Sequence, residues 1–353
     1  MPAWLSLPES ERVAWLVEQG QPKFREKQIR KWILQKRADS FAAMTDLPQK
    51  LRDALAANFV VFSSQVALHK KASDGTEKLL VELTDGKRIE CVLLRDGDRR
   101  TICISSQVGC AMGCVFCASG LNGVERNLST EEIVEEALHL QRLLPEDERL
   151  SHIVVMGMGE PLANLDRLLP ALDVASSPDG LGISARRITI STVGLPAAMR
   201  RLVDRGARYH LAVSLHAPND ELRDRLVPVN DKIGMDAVLA EADRYYEESG
   251  RRLTFEYVLL GGLNDAPEHA EELARRLRGK TALVNVIPYN AVAGLPYKTP
   301  SGNSTHRFCR ILTDAGINVQ VRERKGDEID AACGQLRREQ EKSLVSLESS
   351  DLL

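Results

Sequence analysis

The sequence predicts an α/β protein built from repeated strand–helix units around a parallel sheet, either open or barrelled. Three observations carry that expectation. Short β-branched runs recur at 101–105, 152–156, 187–191, 210–214, 253–259, 282–287 and 317–321. Helical patterns lie between them, and alternation of this kind requires crossover connections. Polar motifs directly follow four of the runs: Gly157-Met158-Gly159-Glu160-Pro161, Ser191-Thr192-Val193-Gly194, Leu215-His216-Ala217-Pro218-Asn219 and Pro288-Tyr289-Asn290. Such folds bind ligands at the carboxyl ends of their strands, so four polar strand ends predict one site at one rim.

Residues 1–60 read as short helices. In the stretch Arg25 to Leu34, Ile29, Trp32 and Ile33 share one face and bases occupy the other. From Lys23 to Arg37 there are seven Lys/Arg against one acid, Glu26. Such a stripe is either a solvated helix face or a surface that contacts phosphates. Residues 61–100 hold alternating segments, Lys78 to Leu83 and Ile89 to Leu94, punctuated by Asp85-Gly86 and Asp96-Gly97. That pattern predicts a small antiparallel β-unit with tight turns. Within 101–336, Ser129-Thr130-Glu131-Glu132 is a capping box that opens a helix to about Leu144. Near the end of this region Phe308, Ile311, Leu312 and Ala315 form an apolar face closed by Gly316. Residues 337–353 form a polar tail.

The composition narrows the function. The 353 residues carry 47 Lys+Arg and 50 Asp+Glu, a net charge of −3, so any nucleic-acid surface must be local. No run approaches the roughly 18 apolar residues of a membrane span. Glu9, Glu11 and Arg12 interrupt the start where a signal peptide would be apolar, and the expected location is cytoplasmic.

Seven cysteines, an odd number in a long chain without an export signal, argue against a disulfide framework. Cys110, Cys114 and Cys117 have the spacing C-x3-C-x2-C at the mouth of the first strand–helix unit. Three soft thiolates this close suit zinc or an iron–sulfur cluster. Zinc wants a fourth ligand at short spacing, and no Cys or His follows Cys117 within twenty residues. Three thiolates on a [4Fe–4S] cluster leave one iron open for catalysis. Cys103 or Cys91 could still complete the set, which leaves room for a ferredoxin-like electron carrier. A zinc-dependent RNA-binding module is a third reading.

These motifs resemble the radical S-adenosylmethionine (SAM) superfamily: the cysteine spacing after a first strand, Phe116 before the last Cys, and Gly157 to Pro161 after the second. More narrowly, Ile89 to Val92, Cys103 to Cys110, Ser214 to Asp220 and Gly326 to Leu336 resemble the RlmN/Cfr family of RNA adenine methyltransferases. Phe24 to Leu34 resembles that family's N-terminal accessory domain. The resemblance implies a partial (β/α)6 radical SAM barrel over 101–336 with a C-terminal catalytic-cysteine loop. A helical RNA-binding accessory domain (1–60) and a β-extension (61–100) would precede it.

Adenine C2 and C8 offer no nucleophilic lone pair, so SAM cannot simply hand them a methyl group. In the family one SAM methylates a protein cysteine, and a second, held on the open iron, is cleaved to a 5′-deoxyadenosyl radical. That radical takes hydrogen from the S-methyl group, the methylene radical adds to the ring, and a second thiol releases the product through a disulfide. The resemblance assigns Cys110, Cys114 and Cys117 to the [4Fe–4S] cluster, Cys333 to the methyl and Cys103 to the resolving thiol. It makes Glu90 the proton acceptor, and places Gly159, Glu160, Ser191, Ser214, Leu215, His216 and Asn290 around SAM, of which two are used per turnover. Cys91 and Cys309 are left as packing residues. The implied activity is C2 methylation of adenosine 2503 in 23S rRNA and adenosine 37 in tRNA, with C8 methylation of the Cfr type as the neighbouring alternative. The expected enzyme is a monomer, free of membranes, served by an external flavodoxin-like or similar electron donor.

Overall fold

The computed structural model describes residues 1–251, 253–323 and 325–336; the polar tail expected at 337–353 lies outside the described residues. Three helices open the chain, α1 (Glu9–Glu18), α2 (Arg25–Leu34) and α3 (Gln49–Asn58). Trp4, Trp15 and Phe59 meet edge to face with ring centroids 5.0–5.7 Å apart, and this packing draws the two ends of the segment together. Glu26, the one acid of the basic stretch, points inward. It is 2% exposed and pairs with Arg12 at 2.8 Å, while Lys23, Lys27 and Lys31 face solvent.

Ten strands form one sheet, and the β-unit of residues 61–100 is continuous with it rather than a separate sheet. β1 (Gln65–Lys71), β2 (Glu77–Glu82), β3 (Arg88–Asp96) and β4 (Arg99–Cys103) run antiparallel as a meander. Beyond β4 the sheet is parallel throughout: β7 (His152–Val155), β8 (Ile188–Thr192), β9 (His210–Ser214), β10 (Leu253–Leu259), β11 (Ala282–Pro288) and β12 (Asn318–Val321). The order along the sheet is the order along the chain once the hairpin β5 (Gln107–Gly109) and β6 (Val124–Asn127) is set aside. That hairpin stands apart and brackets the cysteine loop. Six of the parallel strands lead into helices, as expected for a partial (β/α)6 barrel, and β12 adds a seventh.

The connecting helices are α4 (Thr130–Gln141), α5 (Leu165–Ser176), α6 (Pro196–Asp204), α7 (Asp220–Leu226), α8 (Met235–Ser249), α9 (Pro267–Leu277) and α10 (Gly302–Asp314). The expected capping box is formed: the Ser129 hydroxyl accepts from the Glu132 N–H and the Glu132 carboxylate accepts from the Ser129 N–H. The sheet curls until the segment after β12 reaches β3, where the Lys325 ammonium donates to the Arg95 carbonyl at 2.9 Å. A cavity of about 710 Å³ is enclosed by strands from both sides of this curl.

One apolar core runs from the N-terminal helices through the barrel to α10, and a smaller one around Phe116, Leu226 and Tyr289 lies under the cysteine loop. The N-terminal helices are fastened to the barrel by polar contacts. Arg37 donates to the carbonyls of Leu144, Pro145 and Glu148, and the Glu135 carboxylate accepts from the N–H and hydroxyl groups of both Ser63 and Ser64. Among the described residues no helix is long and apolar enough to cross a membrane.

Candidate active site at the carboxyl ends of the strands

The segment leaving β4 and the segment leaving β7 lock against each other. Gly157 donates to the Ile104 carbonyl at 3.0 Å, and Ser106 donates to the Met158 carbonyl at 2.8 Å. Both glycines of Gly157-Met158-Gly159 are required here. A Cβ on Gly157 would lie 2.7 Å from the Ile104 carbonyl oxygen, and one on Gly159, whose φ is +105°, would lie 2.7 Å from the Gln107 side chain. This close approach fixes Glu160, which is 2% exposed. Its carboxylate accepts from the N–H groups of Leu162 (3.0 Å) and Val193 (2.9 Å). Burial raises its pKa while those N–H groups oppose the rise.

The cysteine loop is held from three sides. Cys110 donates its N–H to Gly123 at 3.0 Å, Val115 to Leu226 at the end of α7 at 3.1 Å, and Ala118 to Gly334 at 2.8 Å. Cys110, Cys114 and Cys117 line one cavity together with Gly159, Glu160, Ser191, Ser214, His216, Asn290 and Cys333. Leu215 is the exception among the SAM-assigned residues. Its side chain is fully buried in the barrel core and it does not line the cavity. Burial drives all three thiols upward, Cys110 to about 12, with the neighbouring thiols adding to the effect.

His216 has a left-handed backbone (φ 60°) at the end of β9 and packs edge-on against Phe116, centroids 4.9 Å apart. Its Nδ1 accepts the Val258 N–H at 3.0 Å, so the ring is neutral and its proton sits on Nε2. Burial, with Arg223 nearby, lowers its pKa to about 3. Asn290 donates to the Cys333 carbonyl at 3.4 Å, and its buried amide oxygen has no partner among the described residues.

Cys333 lies on a loop tied to its surroundings at several points. Gln335 donates to the Ala291 carbonyl at 3.0 Å, the Ser119 hydroxyl to the Leu336 carbonyl at 2.6 Å, and the Lys78 ammonium to the Asp330 carbonyl at 3.1 Å. Cys333 faces both the cysteine-lined cavity and the 710 Å³ cavity, and Cys103, at the end of β4, faces the latter. Both are free thiols. Burial, with the nearby Cys333 adding to it and Arg322 opposing it, pushes Cys103 up to about 12.

Glu90 lines neither cavity. It is 1% exposed on β3, and its carboxylate pairs with the Lys78 ammonium of β2 at 2.7 Å. Cys91 is fully buried in the core and Cys309 is partly buried on α10, so neither reaches the three clustered thiols. Sequence reasoning missed Lys78 and Arg223, and also Arg322 and Glu256, which line both cavities. The rule that flagged polar residues after four strands would have flagged Arg322 had it been extended to the run at 317–321. Lys78 and Glu256 sit inside strands, where sequence alone does not tell an inward polar residue from an outward one.

The donor set suits an iron–sulfur cluster. Three soft thiols share one cavity, burial makes them poor thiolates without a metal beside them, and an amide oxygen with no partner among the described residues waits on the same wall. Among the described residues no three His, Cys, Asp or Glu side chains close around a single ion; a cluster does not ask for this, because its thiolates bind different irons. Fold and site together define a radical SAM protein, and residues 104–277 match the Radical SAM superfamily. Residues 5–61 match the ribosomal RNA large subunit methyltransferase N-terminal domain. The chain is 67% identical over 324 residues to a probable dual-specificity RNA methyltransferase RlmN of Rhodopirellula baltica, covering 92% of this chain and 87% of that protein. A protein of the same name from Geobacillus kaustophilus is 44% identical, covering 97% of this chain and 94% of its own. The crystal structure of a radical SAM methyltransferase from Sphaerobacter thermophilus superposes with a TM-score of 0.91 at 42% identity, covering 96% of this chain and 99% of that one. The chain belongs to the RlmN family of radical SAM methyltransferases, and this membership implies a [4Fe–4S] cluster and SAM.

Proposed function

We propose that the protein methylates C2 of adenosine in RNA, at adenosine 2503 of 23S rRNA and adenosine 37 of tRNA, using Cys333 as methyl carrier and Cys103 as resolving thiol. One observation carries the reading. Two thiols far apart in sequence open into one cavity large enough for a nucleoside, and one of them also faces the cavity of the three clustered cysteines. When bound, the cluster and the two SAM molecules supply the methyl group and the one-electron chemistry that activates it.

The chain's own residues do the rest. Cys110, Cys114 and Cys117 hold the cluster, and Gly159, Glu160, Ser191, Ser214, His216 and Asn290 surround SAM, His216 offering its Nε2–H. Cys333 presents its S-methyl group between the two cavities. Once that carbon is joined to the adenine ring, the adduct would give up one electron to the bound cluster and its ring proton to Glu90, whose side chain must turn out of its pair with Lys78 to reach the cavity. Cys103 then gives up its proton and attacks the Cys333 sulfur. The S–C bond breaks toward carbon, which takes a proton to become the methyl group, and the two sulfurs are left as a disulfide. An external flavodoxin-like or similar donor supplies the electron that first reduces the cluster, and the disulfide must be reduced before the next turnover. Exposed Lys23, just before α2, and Lys27 and Lys31 on it support an RNA-binding role for residues 1–60, acting in a monomer.

The test is anaerobic reconstitution with iron, sulfide, SAM and RNA, followed by digestion to nucleosides. The expected product is 2-methyladenosine; 8-methyladenosine would overturn the assigned position, and release of no methylated nucleoside would overturn the activity.

A further inference from the structure

Arg223, on α7, is completely buried. Its guanidinium donates to the carbonyls of Leu215 (3.1 Å), Ser214 (3.0 Å) and Val193 (2.5 Å) and to the side-chain oxygen of Asn230. Each of these oxygens is neutral, and among the described residues Arg223 forms no ion pair. The carboxylates of Asp220 and Asp224 stand one step away, behind the Asn230 amide. A buried cation without a direct counter-anion is costly, so the arrangement calls for negative charge nearby. Cys114, Asp220 and Asp224 are the groups of negative character near it, and Gly113, next to Cys114, faces Pro228 just beyond α7. The cysteine loop is fastened to the same helix through Val115 and Leu226.

We propose that Arg223 is a positioning residue with two duties: it is the fixed countercharge of the iron–sulfur centre beside Cys114, and it ties together the ends of β8 and β9 that border the SAM cavity. The inference rests on the three cysteines holding a cluster. Reduction adds one electron to that centre, and a permanent positive charge in a dry site favours the reduced state more than the oxidised one. Arg223 thereby raises the reduction potential and eases the electron transfer that first reduces the cluster. A purely packing role would move neither the potential nor its dependence on charge.

The experiment uses full-length protein reconstituted anaerobically with iron and sulfide. Iron content is measured, the midpoint potential is titrated by the EPR signal of the reduced cluster, and SAM binding is followed by equilibrium dialysis. Arg223→Gln should shift the midpoint to a more negative potential and weaken SAM binding. Arg223→Lys, which keeps the charge but not the fork of donors, should weaken SAM binding with the midpoint close to the parent. Asn230→Asp leaves the arginine in place and sets a carboxylate against it, so its midpoint should move in the direction of Arg223→Gln even if that variant fails to fold. An unchanged midpoint in Arg223→Gln or Asn230→Asp, or equal shifts for Gln and Lys, would overturn the countercharge role. Parent protein that takes up no iron would instead overturn the cluster assignment beneath it.

Discussion

Replacing Lys78 with Met tests the architecture around Glu90. The ammonium and the carboxylate are 2.7 Å apart with side chains 5% and 1% exposed. At that distance an effective dielectric of about 20 gives an attraction of about 6 kcal/mol. Desolvation of both ions offsets most of this, so exchanging the whole pair for apolar residues is nearly neutral. Removing one partner differs, because it strips the ammonium from a carboxylate that water does not reach, at about 3–5 kcal/mol. The loss of the Lys78 bond to the Asp330 carbonyl loosens the Cys333 loop as well. The assay is urea unfolding of the thiol-reduced apoprotein for Lys78→Met, Glu90→Leu and the double variant. Each single change should cost about 3–5 kcal/mol and the double much less than their sum. A single-variant cost below about 1 kcal/mol, or strict additivity, would refute the reasoning. In the reconstituted enzyme, loss of a positioned base should slow RNA methylation about 10²–10⁴-fold while leaving the methyl group on Cys333 detectable by intact mass.

Three further outcomes are expected. Cys333→Ala should lack the methyl group carried by the purified protein, whereas Cys103→Ala should accumulate a covalent protein–RNA adduct on denaturing gels; freely dissociating product in the latter would remove Cys103 from the resolving role. His139 stacks on Phe62 and contacts the Ser64 hydroxyl, and burial together with Arg142 lowers its pKa to about 4. The unfolded chain binds its proton near pH 6.5 and the folded chain only near 4, so this contribution is complete above pH 6.5 and is lost on acidification. The slope is about 1.4 kcal/mol per pH unit, and His139→Gln should flatten the stability profile across that window; an unchanged slope would contradict it. Gly159→Ala should abolish SAM binding by equilibrium dialysis, because the new Cβ meets Gln107 at a φ of +105°. Gly182→Ala, at φ +68° with open space around it, should cost only about 1–2 kcal/mol of stability; equal SAM affinity in both would show that crowding at Gly159 is not what matters.

Much of the architecture was legible because it is written locally. The strands at 210–214 and 253–259 coincide with their β-branched runs, and the capping box at Ser129 opens α4 where the pattern placed it. The order of βα units followed because parallel strands need crossovers and consecutive units pack as neighbours. The hairpin β5–β6 was not foreseen, since three or four residues carry no period strong enough to read. The β-unit of residues 61–100 could be recognised, but not that it would extend the barrel sheet, because edge pairing is decided by which strand has free hydrogen-bonding groups beside it.

The sequence by itself determined the chemistry available: three clustered thiols, a further thiol at Cys333 in a polar setting, and polar loops after the strands. Residue type and short spacing fix those properties wherever the chain goes. Only the tertiary structure decided the pairings. It brought Cys103 and Cys333 to one cavity, set Lys78 against Glu90, turned Glu26 inward to leave a lysine stripe outside, and buried Arg223 against the carbonyls that end β8 and β9. These are contacts between residues distant in the chain, fixed by the curl of the sheet and by the exclusion of water around buried charge, and no local pattern encodes them.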